Sequence, residues 1–432
     1  MLPMPRAGCD RHLALRTWMS VIVAFSFLRT GSLVLAQNDS SSTTTWEKEA
    51  SELRLGPFDL HPRLSAGLIY DDNLLLATAN KEADAEWVIH PGIQAVAGDK
   101  AALVAYRDQN TTPASLSPGN LIVQEPEDRP GKLFILDYGL AFQIFDRYTA
   151  NNSIDEFASL DLLWPMARLI LALKQDYQLQ KMAIIEADQR TTIEYIPTTL
   201  SAAYQVSDKT SVESDLRRFS INYDSTGLTG YTEYSAENWL NYEVGQNLHA
   251  SIGLLTGWDA VTNHQDQTYE QFRARARYHY TEKLIFDASV GGELRQFENG
   301  NPQALSPVFD ASLEYSLAEG TWLRVAGFRQ QYAAIFNGYN YATTAATVEV
   351  RQRITDRCTA NFSVGYYNVN YTTITGPSMT HTDRDYLGKI DFEAKIFRHL
   401  TGEIYYQFLD RQSHFNGDLK DNQTGLRLTL SY

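Results

Sequence analysis

The sequence predicts an all-β fold: a single-chain, antiparallel, up-and-down transmembrane β-barrel of about 18 strands (16–18). Three observations carry this expectation. Apolar and polar residues alternate with a period of two over stretches of nine or more residues. The stretches are joined by connections that are alternately short and long. Aromatic residues are abundant, with 25 Tyr, 19 Phe and 7 Trp, and suit strands.

The chain opens on an expected signal peptide over residues 1–36. Arg6, Arg11 and Arg16 form a basic region, Trp18–Leu28 a short apolar core, and Val34-Leu35-Ala36 a small-residue site before Gln37. Cleavage after about Ala36 removes Arg6, Arg11, Arg16, Arg29 and Asp10, which takes the formal net charge from −15 to about −18. Such an acidic balance argues against nucleic acid as a partner. Cys358 is then the one cysteine left, which excludes an intrachain disulfide framework and a multi-cysteine metal site. No apolar run long enough for a membrane helix follows residue 36, and mean hydropathy is −0.33. Neither observation excludes a barrel, whose strands hide half their residues from such an average.

Residues 37–57 read as a periplasmic N-terminal linker. Within it Thr44–Leu55 has the Thr44/Glu47 capping-box spacing of a short helix. From 58 to 432 the text is barrel. Eighteen strands are expected near 58–70, 86–98, 133–146, 154–164, 167–180, 191–206, 210–223, 230–244, 248–259, 267–280, 284–297, 305–318, 321–334, 341–354, 358–371, 383–396, 399–412 and 421–432. Short turns such as Ser207-Asp208-Lys209 and Thr281-Glu282-Lys283 recur about every 36–42 residues. One segment breaks the rhythm. Gly98–Lys132, with four prolines, reads as an insertion at about 99–132 on the periplasmic side. In strand 210–223 the pattern changes phase between Leu216 and Phe219, which predicts a β-bulge.

The two faces differ throughout. In the hairpin Asp266–Phe297, Phe272, Ala274, Ala276 and Tyr278 oppose Arg273, Arg275 and Arg277. In its second arm Phe286, Ala288, Val290 and Leu294 oppose Asp287, Glu293 and Arg295. Elsewhere the polar face carries Asp310 and Glu314, then Glu349, Arg351 and Arg353, then Lys389, Asp391, Glu393 and Lys395. A soluble sandwich would turn the apolar face inward. A strict meander instead fits a membrane barrel, with the apolar face on lipid and the charged face lining a lumen. An arginine facing lipid near the midplane would cost about 2–4 kcal/mol. Aromatic residues near strand ends, including Tyr70, Trp87, Phe145, Trp164, Tyr223, Trp258 and Trp322, read as two interfacial girdles.

The Arg273/Arg275/Arg277 ladder reads first as one wall of a mixed-charge lumen and second as an anion-selecting element. Counting back from the turn places Arg277 opposite Asp287 and Gln271 opposite Glu293. Catalytic signatures are missing: the sequence has neither G-x-S-x-G nor H-E-x-x-H, and His264, His381 and His414 fall in expected loops. The expectation is a non-enzyme without cofactor or metal.

Pro62–Asn73 (PRLSAGLIYDDN), His90-Pro91-Gly92, the Thr281-Glu282-Lys283 turn and the terminal Tyr432 make the chain resemble the outer-membrane β-barrel porin type 2-like family, which includes barrels of exopolysaccharide loci. The 99–132 insertion departs from that pattern. The resemblance implies residence in the outer membrane of a Gram-negative cell. It implies assembly by machinery that recognises a terminal strand such as Leu426, Leu428, Leu430 and Tyr432, and no fixed catalytic residues. The function expected is a porin-like channel or export barrel that passes small solutes or polysaccharide along a charged lumen. The alternatives are a non-conducting surface barrel and, behind it, an outer-membrane hydrolase.

Overall fold

A computed structural model describes residues 53–99, 131–184, 189–225, 228–262, 265–281, 283–298, 305–333, 339–374, 380–413 and 417–432. The signal peptide, most of the linker, residues 100–130 of the expected insertion, His264 and His414 lie outside these residues.

The strands are β1 (Arg54–Leu55), β2 (Phe58–Asp71), β3 (Asp84–Gly98), β4 (Leu133–Phe145), β5 (Ser153–Pro165), β6 (Leu169–Ile184), β7 (Gln189–Ser207), β8 (Thr210–Tyr223), β9 (Tyr231–Gly245) and β10 (Leu248–Val261). They continue as β11 (Gln267–Thr281), β12 (Leu284–Phe297), β13 (Ser306–Ala318), β14 (Thr321–Ala333), β15 (Tyr339–Thr355), β16 (Cys358–Thr373), β17 (Thr380–Phe397), β18 (Leu400–Ser413) and β19 (Leu419–Ser431). Strands β2 to β19 pair antiparallel, each with its neighbours in sequence, and β19 pairs back on β2. The wall is therefore a closed, 18-stranded, up-and-down barrel, which leaves no open sheet edge. The extra strand β1 pairs only with the start of β2. Arg54 and Leu55 are thus extended, not the end of a helix. A tight turn at Gly56, with φ of +61°, reverses the chain before Phe58 can pair.

Strand β3 pairs directly with β4, Gly98 opposite Leu133, and Asp99 N donates to the Lys132 carbonyl. The chain thus leaves and re-enters the wall at adjacent rungs on either side of residues 99–132. Gly98 sits at φ +119°, and a Cβ there would meet the Lys132 carbonyl oxygen at 2.1 Å, so this exit requires glycine.

The expected bulge in β8 is not formed. Its register against β7 and β9 runs unbroken through Leu216, Arg217, Arg218 and Phe219. The phase change is chemical: at the long-loop end the inner face itself turns apolar. Phe219 packs on Tyr195 and Tyr231, and Ile221 is fully buried inside. Phe145 and Tyr223 likewise turn into this interior and do not join a girdle. His381 lies in β17, not a loop, and stacks on Tyr371 at 4.1 Å between centroids.

The outer face carries the exposed apolar side chains: Leu240, Ile252, Phe272, Val290 (63% exposed), Leu294, Phe392, Ile404, Leu426, Leu428 and Leu430 among them. A contiguous apolar band of this extent belongs in lipid. Tyr70, Trp87, Trp164, Tyr242, Trp258 and Tyr280 are exposed on this surface, as interfacial rings are.

Candidate functional site

With the apolar residues outside, alternation turns the charged residues inward, and the interior of the barrel is the candidate site. Where its walls are charged, they mix signs. Arg63 on β2 reaches past β3 to Asp137 on β4 in a bidentate pair of 2.5 and 2.6 Å. The path is open because the residue between them is Gly92: a Cβ there would stand 2.9 Å from Arg63 Nε. Lys389 lies 3.7 Å from both Asp391 and Glu403, and Arg427 Nε donates to Glu403 at 2.9 Å. Arg324 links Glu314 at 3.5 Å to Glu349 at 3.9 Å. Arg353 pairs with Glu319 beside a short turn, at 3.5 Å. Arg351, Glu393 and Lys395 share the inner side of β15 and β17 by their register against Asn361 and Glu403.

The arginine ladder is neutralised residue by residue. Arg273 pairs with Asp310, approaches Glu237 at 3.6 Å and also donates to Ser289. Arg275 donates at 2.9 Å to Glu213 and at 2.9 Å to Asn241, with its guanidinium 4.3 Å from the centre of the Trp239 ring. Arg277 stands opposite Asp287 in register, and its Nε donates to Asp287 at 2.7 Å. Gln271 is opposite Glu293 and donates to it at 2.6 Å. The structure therefore brings the ladder together with carboxylates. It does not leave a row of bare cations for anions to follow.

Several of these partners escaped sequence reasoning: Glu213, Glu237, Asp137, Glu403, Asp259 and the pair Asp385–Arg411. Glu213 and Arg275 are three strands apart, so neither counting back from one turn nor alternation within one strand could join them. The available signal was parity: all fall on the polar phase of their strands.

Water divides the interior along its axis. Toward the short turns water reaches inner ion pairs such as Arg277 and Asp287, which expose 23% and 20% of their side chains, while Glu213, paired with Arg275, keeps only 3%. Toward the long loops they are dry. Arg295 donates to Glu293 at 2.7 Å, to Asp259 at 2.9 Å and to Gln267 at 3.0 Å, and the Arg295 and Glu293 side chains are 2% and 0% exposed. Arg411 grips Asp385 at 2.5 and 3.0 Å, equally buried. At the same end, Ala333 and Tyr339 from β14 and β15 join the apolar cluster of Ile184, Ile193, Ile221, Tyr231 and Val261 on β6 to β10. Strands four or more places apart in the wall thus touch across the interior. A second inward apolar cluster, Val96, Leu133, Ile135, Leu163, Ile170 and Ala203, lines β3 to β7 at the short-turn end.

No protein-family profile matches the chain, and no curated protein matches it in sequence. Solved structures of similar architecture include the outer-membrane protein OpdK of Pseudomonas aeruginosa (11% identity, 87% of this chain and 99% of that one, TM-score 0.44). OccK3 (OpdO) of the same organism aligns at 10% identity over 86% of this chain and 96% of its own, with a TM-score of 0.45. OccAB4 of Acinetobacter baumannii aligns at 8% identity over 87% and 98%, with a TM-score of 0.44.

Proposed function

We propose that the chain is an outer-membrane channel of the diffusion type, with its short turns in the periplasm and its long loops outside. One observation carries the reading: a closed 18-stranded wall, apolar outside, encloses an interior whose short-turn half carries sign-balanced ion pairs that water partly reaches. Such a wall passes small polar solutes at little desolvation cost, and balanced charge favours weak ion selectivity. Arg273, Arg275, Arg277, Asp287, Asp310, Glu314, Glu349, Lys389 and Asp391 would line that passage. The dry long-loop end would be the constriction, held by the apolar contact of Ala333 and Tyr339 with the facing wall. Leu426, Leu428, Leu430 and Tyr432, on the outer side of the strand that closes the barrel, suit recognition by the assembly machinery. Passage of polysaccharide, and kinship with barrels of exopolysaccharide loci, are narrower forms of the same proposal. Among the inner rings Tyr332 stacks on Tyr341 and Tyr371 on His381, with Tyr341 and Tyr371 tilted at 6.0 Å, so these rings are already engaged with one another.

Planar-bilayer recording tests the reading. Purified protein is expected to give small, weakly selective conductance steps, and Tyr339→Ser, which weakens the cross-interior contact, is expected to give larger or more frequent ones. Silence from both proteins would leave a non-conducting surface barrel as the better account.

A further inference from the structure

The seam where the first and last wall strands meet carries more negative charge than its hydrogen bonds satisfy. Asp71 ends β2 and Asp72 follows it, while Asp421 lies near the start of β19. One carboxylate oxygen from each lies within 4.8 Å of the others. Their outer contacts hold them in place: Asn73 N donates to Asp71 at 2.7 Å, Gln423 bridges Asp71 and Asp421 at 2.9 and 3.2 Å, and Asn422 donates twice to Asp72.

A cluster of acids is not by itself a site. Beneath it, on the same inner face, are two further oxygen groups that find no partner. Glu86 on β3 is opposite Ile69, one inward rung from Asp71. It is only 6% exposed, and its Oε1 accepts no hydrogen bond. Tyr405 on β18 is 8% exposed and lies flat over Gly425, where a Cβ would meet its hydroxyl at 2.6 Å. That hydroxyl makes no hydrogen bond, and its charged neighbours are Arg427 and Glu403 first, then Glu86 and Asp71. Asp421 Oδ1 is buried and unpartnered as well. Burying such groups without partners costs free energy that a ligand can offset. One nearby cation, Arg190, faces Glu86 and Asp71, and a single positive charge does not balance the four carboxylates. Lys420 pairs with Asp410 at 3.0 Å, Lys81 donates to the Lys420 carbonyl, and Arg190 donates to Gln143 and to the Lys181 carbonyl.

We propose that Asp71, Asp72, Asp421, Glu86 and the Tyr405 hydroxyl form a binding site for a hard divalent cation of the calcium class at the barrel seam. The donors are oxygen only, and no imidazole or thiol is among them, which suits calcium or magnesium and not zinc or copper. The ligands come from β2, β3, β18 and β19, so the ion would tie together the two ends of the wall. This site is independent of conduction and stands or falls without it.

The test uses the full-length folded barrel in detergent, stripped with chelator. Terbium luminescence should rise on titration and be displaced by calcium. The unfolding midpoint should climb by about 2–5 °C at saturating calcium, as expected for a ligand that binds only the folded state. Asp421→Asn and Glu86→Gln should each weaken terbium binding by about tenfold or more, since affinity follows the charge of the ligand set. If Asp421→Asn does not fold, Glu86→Gln decides. No terbium signal in the native protein, or binding undiminished by Glu86→Gln, overturns the proposal. A midpoint that moves with pH but not with calcium assigns the seam to a proton shared between carboxyls, and overturns it too.

Discussion

Arg277 and Arg295 lie on the inner face of one hairpin, and each is paired with a carboxylate, yet their surroundings differ. Arg277, near the short turn, meets Asp287 in a partly solvated interior. Arg295, near the long loops, is sealed with Glu293 and Asp259 among buried groups. Residue type and facing direction are the same, so position along the barrel axis makes the difference. A wet pair is screened and contributes little. A dry set has lost its hydration and depends on every member staying in place.

Three substitutions would break or sharpen that contrast. The largest effect is expected from Arg295→Ala, which strands two buried carboxylates. Breaking such a buried set costs roughly 3–5 kcal/mol, and the loss should be read as a lower midpoint in urea unfolding of the folded barrel in detergent. A third environment adds scale. Val290→Arg places a cation on the outer face of the same hairpin, in the apolar band, at an expected cost of about 2–4 kcal/mol in the same assay after refolding into bilayers. The smallest effect belongs to Arg277→Ala, with about 0.2–1 kcal/mol lost. That loss should shrink further between low and high salt, as exposed pairs do. Equal losses for Arg295→Ala and Arg277→Ala would mean that the two ends of the interior are not different environments.

The same contrast explains what could be read from the residues alone. Wall strands were legible because alternation is a local property, and each of β2 to β19 falls within a few residues of its expected bounds. Within one hairpin, register was legible too: Arg277 opposite Asp287 and Gln271 opposite Glu293 follow from counting back from a tight turn. Depth was not legible. Phe219 and Ile221 looked like a slipped register because an inner face was expected to be polar along its whole length. The inward apolar cluster at the long-loop end is a tertiary fact with no local signature. For the same reason His381 read as a loop residue, although strand β17 extends through it to stack against Tyr371. Partners such as Glu213 for Arg275, and Asp137 for Arg63, required knowing which strands lie side by side around a closed wall.

The seam between β2 and β19 has one more consequence, in the order of events during assembly. Every other rung of the wall joins strands consecutive in the chain, whereas Asp71 and Gln423 are 352 residues apart. Local hairpins can zip as soon as both arms exist, but this pairing must wait for the final strand and bear the entropy of closing nearly the whole chain. Until then β2 and β18 each present a bare row of amide and carbonyl groups, the template on which strands of other molecules add. A chain cut before Leu419 would therefore be a ribbon with two adhesive edges, prone to join its neighbours, and not merely a barrel one strand narrower.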